Sequence, residues 1–444
     1  MSELSPEVIT IIMLGGFMLA VLSGYPIAIS IGGLALIVGF ALTGPPVFIQ
    51  IYARMFRLIH NYTFLAVPLF IFMGSMLSSS GITEKLYDAL YVWLSRLRGG
   101  LAVVTVLIGT ILAACVGIIG ASVTMLSLIA LPAMLRRGYS KSLATGAVCA
   151  GGCLGILIPP SIMLIIYGPM ANLSVGKLFM AAIFPGLLLS ALYIAYILIR
   201  SYFQPDIGPS VPAEESTMPF VKKTKMLVTA LIPPVILILA VLGAIFLGIA
   251  PPTEAAAVGA LAATILAITH RMFNMKVLKE ALMNTFQVTS MMLLIAAASF
   301  AFVGVFLGAG GGKVVENLLM SVPGGRWGAF ATVMFIIFIL GFFMDFLGIL
   351  FIMVPIIAPI IPKLGFDPLW FGMMICVNFE TSFMTPPMAQ SIFYLKGTLR
   401  PELGVTTGDI IRGVFPFVGL IVIGLVLLVI FPQIILWLPS AMIK

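Results

Sequence analysis

Apolar residues run along this chain in long, nearly unbroken blocks, and polar residues gather at a few places between and within them. The blocks cover roughly 7–24, 26–42, 63–80, 102–135, 140–170, 176–200, 226–249, 253–271, 284–308, 328–361, 368–395 and 411–438. A membrane β-barrel would show short alternating segments instead. Blocks such as Leu227–Ile249 and Val414–Pro432 are long enough, as helices, to cross a hydrocarbon core of about 30 Å. The pattern predicts an all-α integral membrane protein. Residues 83–98 mix charges with Leu, Tyr and Trp at helical spacing, which predicts a helix lying along the interface. Residues 202–225, with Pro, Gly and a Lys-Lys-Thr-Lys run, read as a loop joining two halves.

The halves match each other. At an offset of 227 residues, 112–160 falls on 339–387, so that Pro132 meets Pro359, Gly138 meets Gly365 and Tyr139 meets Phe366. Pro159-Pro160 meets Pro386-Pro387. Gly99-Gly100 has a near counterpart in Gly324-Gly325, and Phe184-Pro185 in Phe415-Pro416. Internal repeats, often of inverted topology, characterise secondary transporters, whose sites lie at interrupted helices near the midplane. Each half carries two interruptions. Residues 102–135 and 328–361 are too long for one straight span at about 1.5 Å per residue, and each reads as a re-entrant hairpin. The first would turn through Gly117 and Gly120 near residue 118 and return from Thr124; the second would turn at 344–348. The second pair of interruptions are breaks at the Pro-Pro motifs, 155–161 and 381–387, since proline removes a donor and disfavours helix in the residue before it. Arg96, Arg98, Arg136, Arg137 and Lys141 flank the first hairpin, while the second has Arg326, Lys363 and Asp367. The positive-inside rule then opens the first hairpin to the cytoplasm and the second outward; Arg54 and Arg57 are a contrary signal.

Composition sharpens this picture. The chain is 61% hydrophobic and 9% charged, against about 25% charged in soluble domains. Mean hydropathy is +1.23. The net charge of +8 sits largely between apolar blocks, where it orients helices and meets anionic lipid rather than nucleic acid. No basic signal-peptide region precedes the first block. Cys115, Cys149, Cys153 and Cys376 lie in apolar segments with no Cys-x-x-Cys pair and read as core residues. With His60 and His270 the only histidines, a zinc or haem site lacks its usual ligands, so no cofactor is expected. The phosphate-binding Gly-x-x-x-x-Gly-Lys-Ser/Thr loop is absent, and so are Gly-x-Ser-x-Gly and His-Glu-x-x-His.

The polar residues inside the apolar blocks are the candidate chemistry. Residues 378–387, NFETSFMTPP, place Asn378, Glu380, Thr381, Ser382 and Thr385 at a helix break. Freed carbonyls, hydroxyls and half-helix dipoles suit Na⁺ and small anions. Ser122, Thr124 and the Gly120 carbonyl offer the same at the first hairpin tip, Ser161 follows the first Pro-Pro, and Asp345 lies at the second tip. The plainer alternative is that such hydroxyls only back-bond to their own helix or join neighbours, and that the prolines merely kink. Intramembrane acids point to function unless they are simply hydrated near an interface.

The stretches GASVTMLSLIALPAMLRRGYSKSLATGAVCAGGCLGILIPPSI, GFFMDFLGILFIMVPIIAPIIPKLGFDPLWFG and VNFETSFMTPP closely resemble the large membrane subunit (DctM-type) of tripartite ATP-independent periplasmic, or TRAP, transporters. The resemblance covers essentially the whole chain. It implies an inverted-repeat, elevator-type transporter of the ion-transporter-superfamily kind, in the bacterial cytoplasmic membrane. Sodium ions would drive uptake of a small organic acid or related polar solute. A periplasmic binding protein (P-type) would deliver the solute, and a separate small four-helix membrane subunit (Q-type) would pair with the scaffold. The domains implied are first-half scaffold and arm at 1–98, transport half 1 at 99–175, and a scaffold helix and loop at 176–225. Second-half scaffold and arm would follow at 226–322, transport half 2 at 323–400 and a C-terminal scaffold helix at 401–444. Within the transport halves, the broken helices would be 140–170 and 368–395. By resemblance, one sodium site maps to Gly120, Ser122, Thr124, Gly155 and Pro159. A second maps to Asp345, Gly348, Thr381, Ser382 and Thr385, with substrate near Ser122, Ser161, Asn378 and Thr381. The second tip has few hydroxyls, and neither break has a buried Arg, so an anion would rely on dipoles, hydroxyls and the ions' own charge. The competing readings are a proton-coupled carrier using Asp345 or Glu380, an exchanger working without a binding protein, and an intramembrane enzyme using those two acids.

Overall fold

The computed structural model describes residues 4–94, 96–117, 119–210 and 218–442, and the described chain is helical with no strand among these residues. The side chain of Cys115, residue 118 of the first hairpin's turn and part of the 202–225 connection lie outside the described residues. Helices α1 (Pro6–Leu22), α2 (Ile27–Thr43), α4 (Ala66–Ser78) and α5 (Ile82–Leu94) fall where the apolar pattern puts them. Helix α3 (Pro46–Ile59) does not: its apolar residues are interrupted by Gln50, Arg54 and Arg57, so no continuous run marks it. Pro46 starts it, as proline does at a first helical position. It meets the 62–78 segment at a bend of 54°, where the Asn61 side chain accepts from the Thr63 N–H.

The two repeats are visible element by element. In the first half α6 (Gly100–Val116) and α7 (Ile119–Arg136) form the hairpin. α8 (Lys141–Cys153) and α9 (Ile162–Ala171) form the broken helix, and α10 (Val175–Phe203) follows. The second half begins with α11 (Phe220–Phe246), α12 (Pro252–Thr269), α13 (Met275–Gly308) and α14 (Gly311–Ser321). Its hairpin is α15 (Gly325–Leu340) and α16 (Phe346–Ile357), its broken helix α17 (Pro368–Met384) and α18 (Gln390–Thr398), and α19 (Thr407–Ile430) and α20 (Gln433–Ser440) end the chain. Gly99 and Gly324, both left-handed, precede the two hairpins, and both Pro-Pro bonds are cis. Packing is exchanged between the halves: α7 lies on α18 and α16 on α9, while α8 lies on α19 and α17 on α10. Among the described residues, six helices (α7, α10, α11, α12, α13 and α19) are long and apolar enough to cross a membrane, or seven if the bent pair counts as one.

Four expectations change. The Lys-Lys-Thr-Lys run belongs to α11 rather than to a loop, because the helix starts at Phe220 after Pro219. The first hairpin turns tightly at Gly117, so Gly120, Ser122 and Thr124 sit in the opening turns of α7. The second turns at 341–345, before the expected 344–348. The second break begins at Thr385, so Thr381 and Ser382 remain helical: only the residue directly before proline is forced out. The halves also differ. Helix α6 packs on α7, but α16 leaves α15 and lies along α13.

Helix α8 is the hub, buried at every residue from Leu143 to Cys153. Its glycines let backbones touch: a Cβ on Gly151 would lie 3.1 Å from the Thr105 carbonyl of α6. One on Gly413 of α19 would overlap the Ser142 carbonyl and lie 2.9 Å from Thr145 Oγ1. Gly413→Leu is therefore expected to lower the apparent melting temperature of the purified protein, with an overpacking cost of about 1–3 kcal/mol or more. Gly419→Leu on the same helix meets nothing within 4 Å and is the control. Equal effects of the two would refute the backbone-contact account.

Candidate functional site

A cavity of about 120 Å³ lies where the interruptions of both halves meet. Gly117, Ile119 and Gly120 line it from the first hairpin, and Ile162 from the first break. Asp345, Phe346 and Leu347 line it from the second hairpin, and Gln390 and Tyr394 from beyond the second break. Val67 of α4 and Val288, Met291 and Met292 of α13 close it. One water needs about 10–15 Å³ of such space, so the volume suits a small solute or a group of waters.

Four helices, α7, α9, α16 and α18, begin at this cavity, and each start has a local cause. Gly117 ends α6 at φ +66° and reverses the chain. Ser161 accepts from the Leu164 N–H at the head of α9, and its hydroxyl donates back across the break to the Ile156 carbonyl. Asp345 caps α16 by accepting from the Phe346 N–H at 2.8 Å. Ala389, at φ +38°, redirects the chain into α18, and Ser391 Oγ donates to the Phe383 carbonyl at 2.9 Å, closing the second break. Each helix start carries roughly half a positive charge. Among the described lining residues there is no Lys or Arg, and Asp345 is the one charged side chain. Gln390 Nε2 donates to Asp345 Oδ1 at 2.7 Å, joining the second tip to the second break. The Tyr394 ring occupies the space beside Gly120, 2.9 Å from where a Cβ would stand. Such a site can hold an anion on dipoles, and the Asp345 carboxylate can hold a cation beside it.

Of the sequence-predicted residues, Gly120 and Asp345 line the cavity. Ser122 is buried nearby in α7, and its hydroxyl has no hydrogen-bond partner among the described residues. Thr124 is half-buried on the same helix and its carbonyl accepts from Ser127. Gly155, Pro159 and Ser161 are buried together in the first break. Gly117 joins tip to break, a Cβ there standing 3.4 Å from the Pro160 carbonyl. The second set is less gathered. Asn378 Nδ2 donates to the Met334 carbonyl at 2.8 Å and braces α17 against α15. Thr381 back-bonds to the Asn378 carbonyl, Thr385 to that of Thr381, and Ser382 donates weakly to Phe338 at 3.4 Å. Gly348 faces Met344 and Ile27. Glu380 is fully buried, both its oxygens without partners, beside Tyr193, Cys153 and Cys376 and outside the cavity lining.

Gln390 and Tyr394 escaped the sequence reading, as did Ser391. Tyr394 carried a usable signal, since the 227-residue offset pairs it with Tyr167. Gln390 pairs with Met163, so the repeat hides it.

The fold defines an all-helical, multi-pass membrane protein built from two related halves. Residues 14–434 match the family described as the tripartite ATP-independent periplasmic transporter, DctM component, and the chain belongs to that family, an inner-membrane permease. It is 31% identical over 390 residues to the C4-dicarboxylate TRAP transporter large permease protein DctM of Pseudomonas aeruginosa, covering 87% of this chain and 88% of that one. It is 28% identical over 388 residues to the sialic acid TRAP transporter large permease protein SiaM of Vibrio cholerae, covering 86% and 87%. The fold is shared with the Alcanivorax borkumensis YdaH transporter at TM-score 0.61 and 15% identity, over 96% of this chain and 98% of that one.

The Asp345–Gln390 bridge is testable by a double-mutant cycle. Asp345→Asn and Gln390→Leu should each reduce stability in denaturant unfolding, with a coupling between them of about 0.5–3 kcal/mol. Strictly additive losses would mean that the two side chains do not interact.

Proposed function

We propose that this chain is the large permease of a sodium-coupled carrier that takes up a small carboxylate. The observation that carries the reading is the cavity at which four helix N-termini converge with no Lys or Arg among the described lining residues. Converging N-termini favour an anion, and both relatives above are named for acids, C4-dicarboxylates and sialic acid. Asp345 opposes an anion unless a cation sits between them, which is the argument for a coupling ion. We assign one sodium to Gly120, Ser122, Thr124 and the 155–159 segment, where the orphan Ser122 hydroxyl supports it. We assign a second to Asp345 and the break that starts at Thr385. Alternating access is elevator-like in this reading. Packing of α8 on α19 and of α17 on α10 supports grouping α10 and α19 with the hairpins and broken helices in the moving unit, not with the scaffold as expected from sequence. The solute arrives on a secreted binding protein, and a small membrane subunit supports the scaffold, as the family's tripartite description implies.

A second reading has one observation in its favour: the buried, unpartnered Glu380 carboxyl suits a proton. Proteoliposomes holding this chain with its small subunit and binding protein separate the two. Succinate uptake is expected only with an inward Na⁺ gradient. NaCl should raise the melting temperature over choline chloride at equal ionic strength, by mass action on the folded state, and Ser122→Ala and Asp345→Asn should abolish that rise. Uptake driven by a proton gradient without Na⁺, and lost in Glu380→Gln, would sink the sodium reading.

A further inference from the structure

Three cavities lie in line along the seam between α13 and α16. The innermost is the central one, at Met291, Met292, Phe346 and Leu347. The next, about 170 Å³, is walled by Phe300, Val303 and Leu307 of α13 with Phe351 and Pro355 of α16. The outermost, about 630 Å³, opens where Leu307 and Gly308 face Ile356 and Ile360; Lys313 of α14 lines it with Glu7 and with Glu316, whose carboxylate is paired with Lys363. Leu307 lines both outer cavities, so the two adjoin at its side chain. Met292 and Phe300 are separated by about 12 Å of helix at the usual rise. The row leads from the mouth of the second hairpin to the point where the four helices begin.

The middle cavity is apolar except for one residue, Arg54 of α3. The side chain is half-buried and aims inward, while Tyr52 and Phe56 of the same helix are exposed. An arginine serving only as an interfacial anchor would snorkel outward. Arg54 instead lies across Gly304, where any Cβ would overlap its Nε. Glycine inside a helix costs about 1 kcal/mol relative to alanine, so α13 gives up stability at the position that seats the guanidinium. No described residue forms a hydrogen bond or ion pair with Arg54, and the charge that acts on it, Arg57, has the same sign. A planar, permanently charged fork at the edge of an apolar cavity, without a partner, is built to receive a carboxylate.

We propose that the α13–α16 seam is the route by which an anionic solute reaches the central cavity, and that Arg54 binds it on the way and favours anions over neutral solutes. The inference rests on the carboxylate reading above. It makes Arg54 a specificity-determining residue outside both ion sites.

Thiol reagents of different charge test the route without transport. Leu307→Cys is placed in a chain whose four native cysteines are replaced. The purified protein is treated with sulfonatoethyl, methyl and trimethylammonium-ethyl methanethiosulfonates. The anionic reagent is expected to react about tenfold or more faster than the cationic one, as charged clefts concentrate counter-ions. Arg54→Gln should erase that preference and Arg54→Lys should largely restore it. The ratio is internal to each sample, so partial loss of folded protein does not affect it. An unreactive thiol in the Leu307→Cys chain, or a ratio indifferent to Arg54, overturns the proposal. Protection by succinate only when Arg54 is present supports it in full. An Arg54-dependent ratio without protection by succinate keeps the anion route and counts against the dicarboxylate as its passenger.

Discussion

A helix interrupted inside a membrane exposes backbone donors and acceptors that have no water to turn to, at a cost of several kcal/mol each. The rest of this structure follows from how that cost is met. At the first break the Ser161 hydroxyl returns to the Ile156 carbonyl, and at the second the Ser391 hydroxyl returns to that of Phe383. Asp345 answers the first N–H of α16. Four of the helix starts that these interruptions create meet at one cavity. Site and fold are thus linked: the breaks that interrupt the helices also gather their N-termini at one place.

Much of this was legible in sequence because proline and glycine act locally. Pro159-Pro160, Pro386-Pro387, Gly117 and the left-handed Gly99 and Gly324 mark the interruptions, and the structure puts the breaks there to within a few residues. Helix α3 was not legible, since Arg54 and Arg57 interrupt its apolar run and hide an amphipathic helix from any search for continuous hydrophobicity. The residues at 378–382 illustrate a different failure. Their polarity looks like an open site, yet the helix runs through them to Met384, and the side chains of Asn378, Thr381 and Ser382 bond to nearby carbonyls. Which hydroxyl back-bonds and which faces a cavity depends on rotation about the helix relative to neighbours distant in sequence. Gln390 was missed for the same reason: its partner Asp345 lies 45 residues away.

The two halves share a plan without sharing a posture. The first hairpin is closed on itself, while the second opens and gives one arm to α13. The cavities of the seam lie along that displaced arm. The same offset that pairs Cys149 with Cys376 pairs Cys153 with Glu380, so the duplicated halves face each other across α8 and α17 with one side acidic and the other not. A duplicated architecture has in this way acquired unequal halves.

The glycine contacts around α8 bear on where such a protein can slide. Where α8 crosses α19, backbone touches backbone, with Gly413 seated on the Ser142 carbonyl. A crossing of that kind has no rotamers to readjust and no slack, so the paired helices keep step with each other. Relative displacement needs compliant surfaces, where side chains can repack and voids can change size. Several of the cavities border α13, and in the elevator reading proposed above the slip plane lies along that helix, where packing is incomplete.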